Sequence, residues 1–357
     1  MHKSLDVLCV SQGIVLPYVK NKGWGAGGVV SQEGEFIHES IYTDWMTFGE
    51  LYSYEESEVF YEPCDAIWMG KFNEHWGHFL LDDISRLWYV LENYNNEKIV
   101  YVSENNVVSG NYEIFLISLG IPKENILRVK SVTRFNKVII PQCSKMNGNI
   151  YPEYRMIFSR VIDFLMKGDV ENNKYNKVYF SRRNFADAGK KEIGEKEIER
   201  YLNSKGYISI SPESLSLKDQ VVMWNSCNSI ACFNGTIPLN ILFMRDRDLD
   251  LLVLNKTSRL HKNLDDVLSI FHKLNVNCID VYNDFYDKYV RFLGEGPFVL
   301  NNTSKLMCHF NEGAKTSNSF ANRFKISHFM FFIFFISKRF LKSKFKLIYH
   351  FYLKVRK

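Results

Sequence analysis

The chain has 357 residues, 46% of them hydrophobic and 15% aromatic, enough for two domains of ordinary size with a core each. Its net charge of +5 is unevenly placed: residues 323–357 hold ten Lys/Arg and no Asp/Glu, leaving 35 basic against 40 acidic side chains elsewhere. A net-acidic body argues against nucleic-acid binding, and seven scattered cysteines with no CxxC or Cys/His spacing read as reduced core residues, not disulfides or a zinc site.

In chain order, Met1–Val19 carries Asp6 and breaks at Ser11-Gln12-Gly13, which is not the pattern of a cleaved secretory leader. Leu5–Val10, Ala66–Met69 and Lys98–Val102 read as buried strands, and the glycine cluster Gly23–Gly28 as a loop. Phe79, Leu80, Ile84, Leu87, Trp88 and Leu91 recur every three or four residues, which predicts one long helix from about His75 to Tyr94. A helix Tyr112–Leu119, an apolar segment Val138–Ile140 and a helix opening at Pro152 complete a first α/β lobe, 1–167.

Lys167–Lys177, rich in Asn, Lys and Glu, reads as a linker, after which strand and helix alternate again. Strands Val178–Ser181, Tyr207–Ile210, Ser229–Phe233, Leu251–Leu254 and Cys278–Val281 are separated by helices Glu195–Ser204, Leu217–Ser226, Leu239–Met244 and Asp265–Leu274. That series predicts a parallel, doubly wound second lobe, 168–285, followed by a connecting segment, 286–325, that could pack back on the lobes. Two such lobes in tandem predict a cleft at the carboxyl ends of their strands.

Three constellations could carry chemistry. In Asn73-Glu74-His75-Trp76-Gly77-His78-Phe79-Leu80-Leu81-Asp82-Asp83, His78 and Asp82 share a helix face, so a carboxylate could orient an imidazole as a general base; solvated acids beside a satisfied histidine is the plainer alternative. Ser181-Arg182-Arg183 leaves a strand of the second lobe, where a guanidinium suits a diphosphate or pairs with a surface acid, and Glu195 opens the next helix as a cap or a ribose ligand. Asn234-Gly235-Thr236, with Asn240 downstream, forms a strand-to-helix turn open to a phosphate. Asp246-Arg247-Asp248 reads as a solvated connector, not as a metal-binding pair.

Taken in order, these segments resemble glycosyltransferase family 61. The resemblance rests on His78-Phe79-Leu80-Leu81-Asp82 with Arg86, on Ser181-Arg182 with Glu195, and on Pro212-Glu213-Ser214-Leu215-Ser216-Leu217-Lys218-Asp219-Gln220. Where the family commonly has His-Gly-Ala, this chain has Asn234-Gly235-Thr236. The resemblance implies a GT-B-like enzyme of two Rossmann-like domains, inverting and without cofactor or metal, moving a sugar from a nucleotide-diphosphate donor to a glycan or lipid-linked glycan in capsular or other surface polysaccharide synthesis. It implies His78 or Asp82 as the base, Arg182, Arg183, Glu195, Asn234, Gly235, Thr236 and Asn240 at the donor, and Asn73, His75, Asp83 and Arg86 as acceptor or supporting residues. A nucleotide-sugar epimerase and a non-catalytic assembly component are the rival readings.

Residues 326–357 add a basic amphipathic helix: the apolar run Phe329–Ile336 is too short to span a bilayer. Phe340, Leu341, Phe345, Ile348, Tyr352 and Val355 then recur among Lys and Arg. The expectation is a cytoplasmic enzyme held peripherally on the anionic inner face of the cell membrane, the alternatives being a helix packed on the protein body or a disordered tail.

Overall fold

The computed structural model describes residues 4–21, 23–44, 47–168, 175–259, 261–311 and 325–355, without the side chains of Lys262 and of residues beyond 345. The middle of the expected linker and residues 312–324 of the expected connecting segment lie outside them. The chain divides into two compact units: residues 1–169 with 216–221 and 242–245, and residues 170–215 with 222–241 and 246–357. Of the expected connecting segment, 286–325, the described residues up to 311 fall in the second unit.

The first unit holds β1 (Val7–Ser11), β2 (Ile14–Val19), β3 (Ala26–Val30), β4 (Phe36–Ile37), β5 (Tyr42–Thr43), β6 (Thr47–Phe48), β7 (Phe60–Lys71), β8 (Lys98–Val102), β9 (Ile126–Arg128), β10 (Thr133–Pro141), β11 (Lys145–Met146) and β12 (Asn149–Ile150). Its main sheet runs β4-β3-β2-β10-β7-β8-β9, with β1 also on β10. Only β10, β7, β8 and β9 are mutually parallel; β1 to β4 form an antiparallel flank. The expected doubly wound first lobe is therefore corrected to a mixed sheet, and part of the glycine cluster is strand β3. Gly27 and Gly28 escape a pattern search because they supply no side chain to alternate.

The expected long helix is also corrected. Between Trp76 and Asn93 the chain makes a short α-turn (Trp76–His78), a wide π-turn (Phe79–Asp83), a 3-10 turn (Leu87–Tyr89) and a last α-turn (Val90–Asn93). Apolar spacing reports which residues are buried but not the width of each turn. Phe79 fixes the break: its ring meets Phe72, Tyr112 and Phe115 edge-to-face at 6.2, 5.0 and 5.2 Å. A fully buried Phe contributes about 2–3 kcal/mol, which helps hold an irregular backbone in place.

The second unit holds β13 (Lys177–Phe180), β14 (Glu192–Ile193), β15 (Ile208–Ile210), β16 (Ser229–Phe233), β17 (Leu249–Asn255), β18 (Leu274–Asp280) and β19 (Phe298–Val299). Its sheet, β15-β13-β16-β17-β18, is parallel throughout, as the alternation predicts, and β14 pairs with β19 beside it. Two expected helices differ: Asp265–Leu274 is Lys262–Leu268 running on to β18, and Leu239–Met244 is a 3-10 stretch, Ile237–Phe243. Cys143, Cys227 and Cys232 are buried, whereas Cys9, Cys278 and Cys308 are exposed, which corrects the reading of all seven as core. The last helix, Ile326–Val355, belongs to this unit. Among the described residues no helix is long and apolar enough to cross a membrane.

Candidate active site

In the first unit, strand order reverses beside β7: β8 and β9 lie on one side of it and the later β10 on the other. Loops leaving the carboxyl ends of such a pair diverge and open a crevice. The His/Asp segment leaves β7 at that point. Pairing of β7 with β8 slips between Trp68 and Gly70, a bulge of the kind found next to active sites, and Gly70 takes the left-handed φ of +112° that it requires.

His75 caps the first turn, its side chain accepting from the His78 amide at 3.4 Å. The π-turn follows, closed by Ile84 N–H donating to Phe79 O at 3.3 Å. This wide turn brings Asp82 back under His78, with Nδ1 3.0 Å from Asp82 Oδ2. The other oxygen, Oδ1, accepts from the Tyr42 hydroxyl at 2.6 Å. Asp82 is buried while the His78 side chain keeps 27% of its exposure, so the carboxylate lies behind the imidazole. A neutral ring that gives its Nδ1–H to a carboxylate carries its basic lone pair on Nε2.

Burial, then the Asp82 charge, drive the Tyr42 phenol far up, so it stays a neutral donor. Behind it stand Asp44, 3.4 Å away, and buried Lys145, 3.4 Å from Asp44. A small hollow is lined by Trp24, Tyr42, Lys71, Asp82, Asp83 and Arg86. The indole of Trp24 stands edge-on to His78 at 5.1 Å and stacks on Tyr42 at 6.2 Å. Lys71 donates to Trp24 O at 2.8 Å, and burial pulls its ammonium below the usual range.

The supporting residues have structural partners. Asp83 accepts from Asn73 N and Nδ2 at 2.9 and 3.4 Å, and burial pushes its carboxyl well above the usual range. Arg86 donates to Glu39 O and Ile41 O at 2.7 and 3.0 Å, which holds the segment entering β5.

In the second unit the strand order in chain sequence is second, first, third, fourth, fifth, so the reversal lies between β13 and β16. The turns leaving these two strands are Ser181-Arg182 and Asn234-Gly235-Thr236. Glu195 Oε1 gathers the Tyr179 hydroxyl at 2.9 Å, Ser181 Oγ at 3.0 Å and the Arg182 amide at 2.6 Å. Burial raises the Glu195 carboxyl and these three donors oppose the shift. Glu195 therefore shapes the turn that presents Arg182.

Arg182 Nε lies 3.4 Å from Glu192 Oε1, which also accepts from buried Lys256 Nζ at 2.9 Å. Lys256 sits 4.4 Å over the Phe298 ring, and burial lowers its ammonium. Arg183 pairs with Glu199, a partly exposed surface bridge apart from this cluster. Asn234 Nδ2 donates to Asn255 Oδ1 at 2.9 Å, which leaves buried Asn234 Oδ1 without a protein partner. Gly235 has φ +149°, and nothing lies within 4 Å of where a Cβ would sit, so the space above its backbone is open. Asn240 is buried and donates to Ile237 O at 3.0 Å.

The glycosyltransferase 61 family model matches residues 76–249, from the turn that carries His78 to the start of β17. That stretch is a glycosyltransferase family 61 domain. That makes the chain a glycosyltransferase, which decides against the epimerase and non-catalytic readings. No curated protein matches it.

Within the matched stretch of this glycosyltransferase lie His78, Asp82, Asp83, Arg86, Arg182, Arg183, Glu195, Asn234, Gly235, Thr236 and Asn240; Asn73, His75, Tyr42 and Lys256 lie outside it. Tyr42, Glu192 and Lys256 were not legible as site residues. Tyr42 reaches Asp82 from far up the chain, while Glu192 and Lys256 meet only once β14 lies beside the sheet. Among the described residues no group of three His, Cys, Asp or Glu stands close enough to hold a metal ion. Arg247 of the Asp-Arg-Asp connector donates to Cys227 O at 2.8 Å.

Proposed function

We propose that this glycosyltransferase inverts the anomeric centre in a single displacement without a bound metal, on a GT-B-like pair of domains. The donor is a sugar nucleoside diphosphate and the acceptor a hydroxyl of a glycan or lipid-linked glycan of a bacterial capsule or other surface polysaccharide. His78 Nε2 takes the proton of the acceptor hydroxyl as the oxygen forms its bond to the anomeric carbon. The bond from that carbon to the β-phosphate oxygen breaks, and the nucleoside diphosphate leaves with the electron pair. Asp82, fixed by Tyr42, holds the imidazole in the required tautomer and stabilises the imidazolium.

The observation that supports this reading is the chain from His78 Nδ1 through Asp82 to Tyr42: a neutral ring that gives its Nδ1–H to Asp82 keeps its lone pair on Nε2, with Asp82 as the orienting group. Arg182 and the open backbone at Gly235 stand at the strand reversal of the second unit and offer charge and N–H groups to a diphosphate. Arg183, tied to Glu199, and Asn240, tied to Ile237 O, hold the framework in this reading.

The experiment is a screen of sugar nucleotides by thermal shift, followed by transfer assays with a chelator and by NMR of the product anomer. A stabilising donor, product of opposite anomeric configuration and full activity in the chelator are expected. Retention of configuration, or activity that dies with chelator and returns with a divalent cation, would sink the reading.

A further inference from the structure

Among its described side chains, the helix Ile326–Val355 carries apolar groups on two sides, one packed inside the protein and one exposed. On the first, Phe332 packs with Tyr286 and Val299, its ring 5.1 Å from Tyr286 and 4.8 Å from Tyr289. One helical repeat on, Arg339 donates to Tyr289 O at 2.9 Å and to Gly296 O, and pairs with Glu295 at 3.1 Å. His328, Phe332 and Arg339 recur at helical spacing, and this side is bolted to the second unit.

The opposite side carries Met330, Ile333, Phe334, Leu341 and Phe345, exposed by 60, 43, 67, 54 and 66%. Such a stripe of bulky apolar groups needs a cover. Lys338, Lys342 and Lys344 are exposed among these residues, and Lys344 lies 5.6 Å over the ring of Phe340. No acidic side chain occurs from residue 323 to the end. Pairing of the stripe with a second copy would bring lysines against lysines, whereas an anionic lipid surface complements both the apolar groups and the charge.

We propose that this stripe lies in the headgroup layer of an anionic membrane, while Phe332 and Arg339 on the other side fix the second unit to the buried helix. Intrusion and packing on the body are thus two faces of one element. The long lysine stems lie along the apolar layer with their ammonium groups at the phosphates. The inference stands apart from the catalytic reading, since none of these residues belongs to the site.

The full-length enzyme is sedimented with vesicles of phosphatidylcholine alone and of phosphatidylcholine mixed with phosphatidylglycerol. Binding to the mixed vesicles only, weakened by added salt, is expected. The double variant Met330→Glu/Phe334→Glu should partition at least about tenfold more weakly. Its melting temperature should be unchanged, because both side chains are already exposed. Lys342→Glu/Lys344→Glu, which leaves every apolar group in place, should weaken binding in the same direction. Equal binding to both vesicles, or binding to neither, overturns the proposal. So does a dimer by light scattering that the first variant splits, since the stripe is then covered by a second copy.

Discussion

Tyr42 and His78 hold opposite oxygens of one carboxylate: the phenol donates to Asp82 Oδ1 at 2.6 Å, and imidazole Nδ1 stands 3.0 Å from Oδ2. The three groups form a single file from the interior to the partly exposed ring, so under the proposed mechanism His78 and Asp82 should weigh more on the rate than the phenol behind them.

His78→Ala removes the proposed base and should lower kcat by about 10²–10⁴-fold with little change in donor KM. Asp82→Asn presents an amide that can donate to Nδ1 and select the wrong tautomer, so a comparable loss is expected. Steady-state kinetics with saturating acceptor read both. Unchanged kcat in both variants would remove this pair from the mechanism.

Tyr42→Phe takes one hydrogen bond from Asp82 and leaves the ring that stacks on Trp24. Its role is positioning, so kcat should fall by roughly tenfold, about 1.4 kcal/mol of barrier, with donor KM steady. A purely structural phenol would lower the melting temperature and leave kcat per folded molecule untouched.

Glu195→Gln keeps an oxygen for Tyr179, Ser181 and the Arg182 amide, whereas Glu195→Ala strands all three donors. The alanine variant should lose about 2 kcal/mol or more of stability by chemical denaturation. In the glutamine variant the turn is retained and donor KM should remain within a few-fold of the parent.

Asp83 gives the first unit a pH signature. Burial raises its carboxyl in the folded protein, so the folded state holds the proton more tightly than the unfolded chain. Its contribution is therefore fully present below the ordinary carboxyl range and is lost as pH rises through the raised folded value. Melting temperature against pH should fall across that window, and Asp83→Asn should flatten this part of the curve.

Glu192 holds Lys256 and Arg182 together, so its loss should cost more than that of Lys256. Glu192→Ala leaves a buried ammonium unpaired and should destabilise by about 3–5 kcal/mol. Lys256→Met leaves the carboxylate still facing Arg182 and should cost less. Equilibrium denaturation ranks the two, and the opposite order would mean that Glu192 is better solvated than its burial implies.

The alternation of strand and helix after residue 177 made the second sheet readable, because buried parallel strands are short apolar runs between turn residues. The first sheet was harder. Its antiparallel flank includes Gly27 and Gly28, which give no alternating signal, and its key helix hides a widened turn inside perfect apolar spacing. Adjacency in sequence exposed the His78–Asp82 pair. Tyr42 and Lys256 meet their partners only through tertiary packing, and no spacing rule reaches that far.

The wide turn at Phe79–Asp83 has a consequence for how this segment tolerates length change. Removing one of Leu80 and Leu81 would let the backbone relax to an ordinary α-turn, yet it would place Asp83 where Asp82 now meets His78 and pull Tyr42's acceptor away. The shortened segment would be a better helix with a scrambled proton-handling file. The surplus residue is thus the part of the fold that local backbone preference opposes and that keeps Asp82, and not Asp83, against His78 and Tyr42.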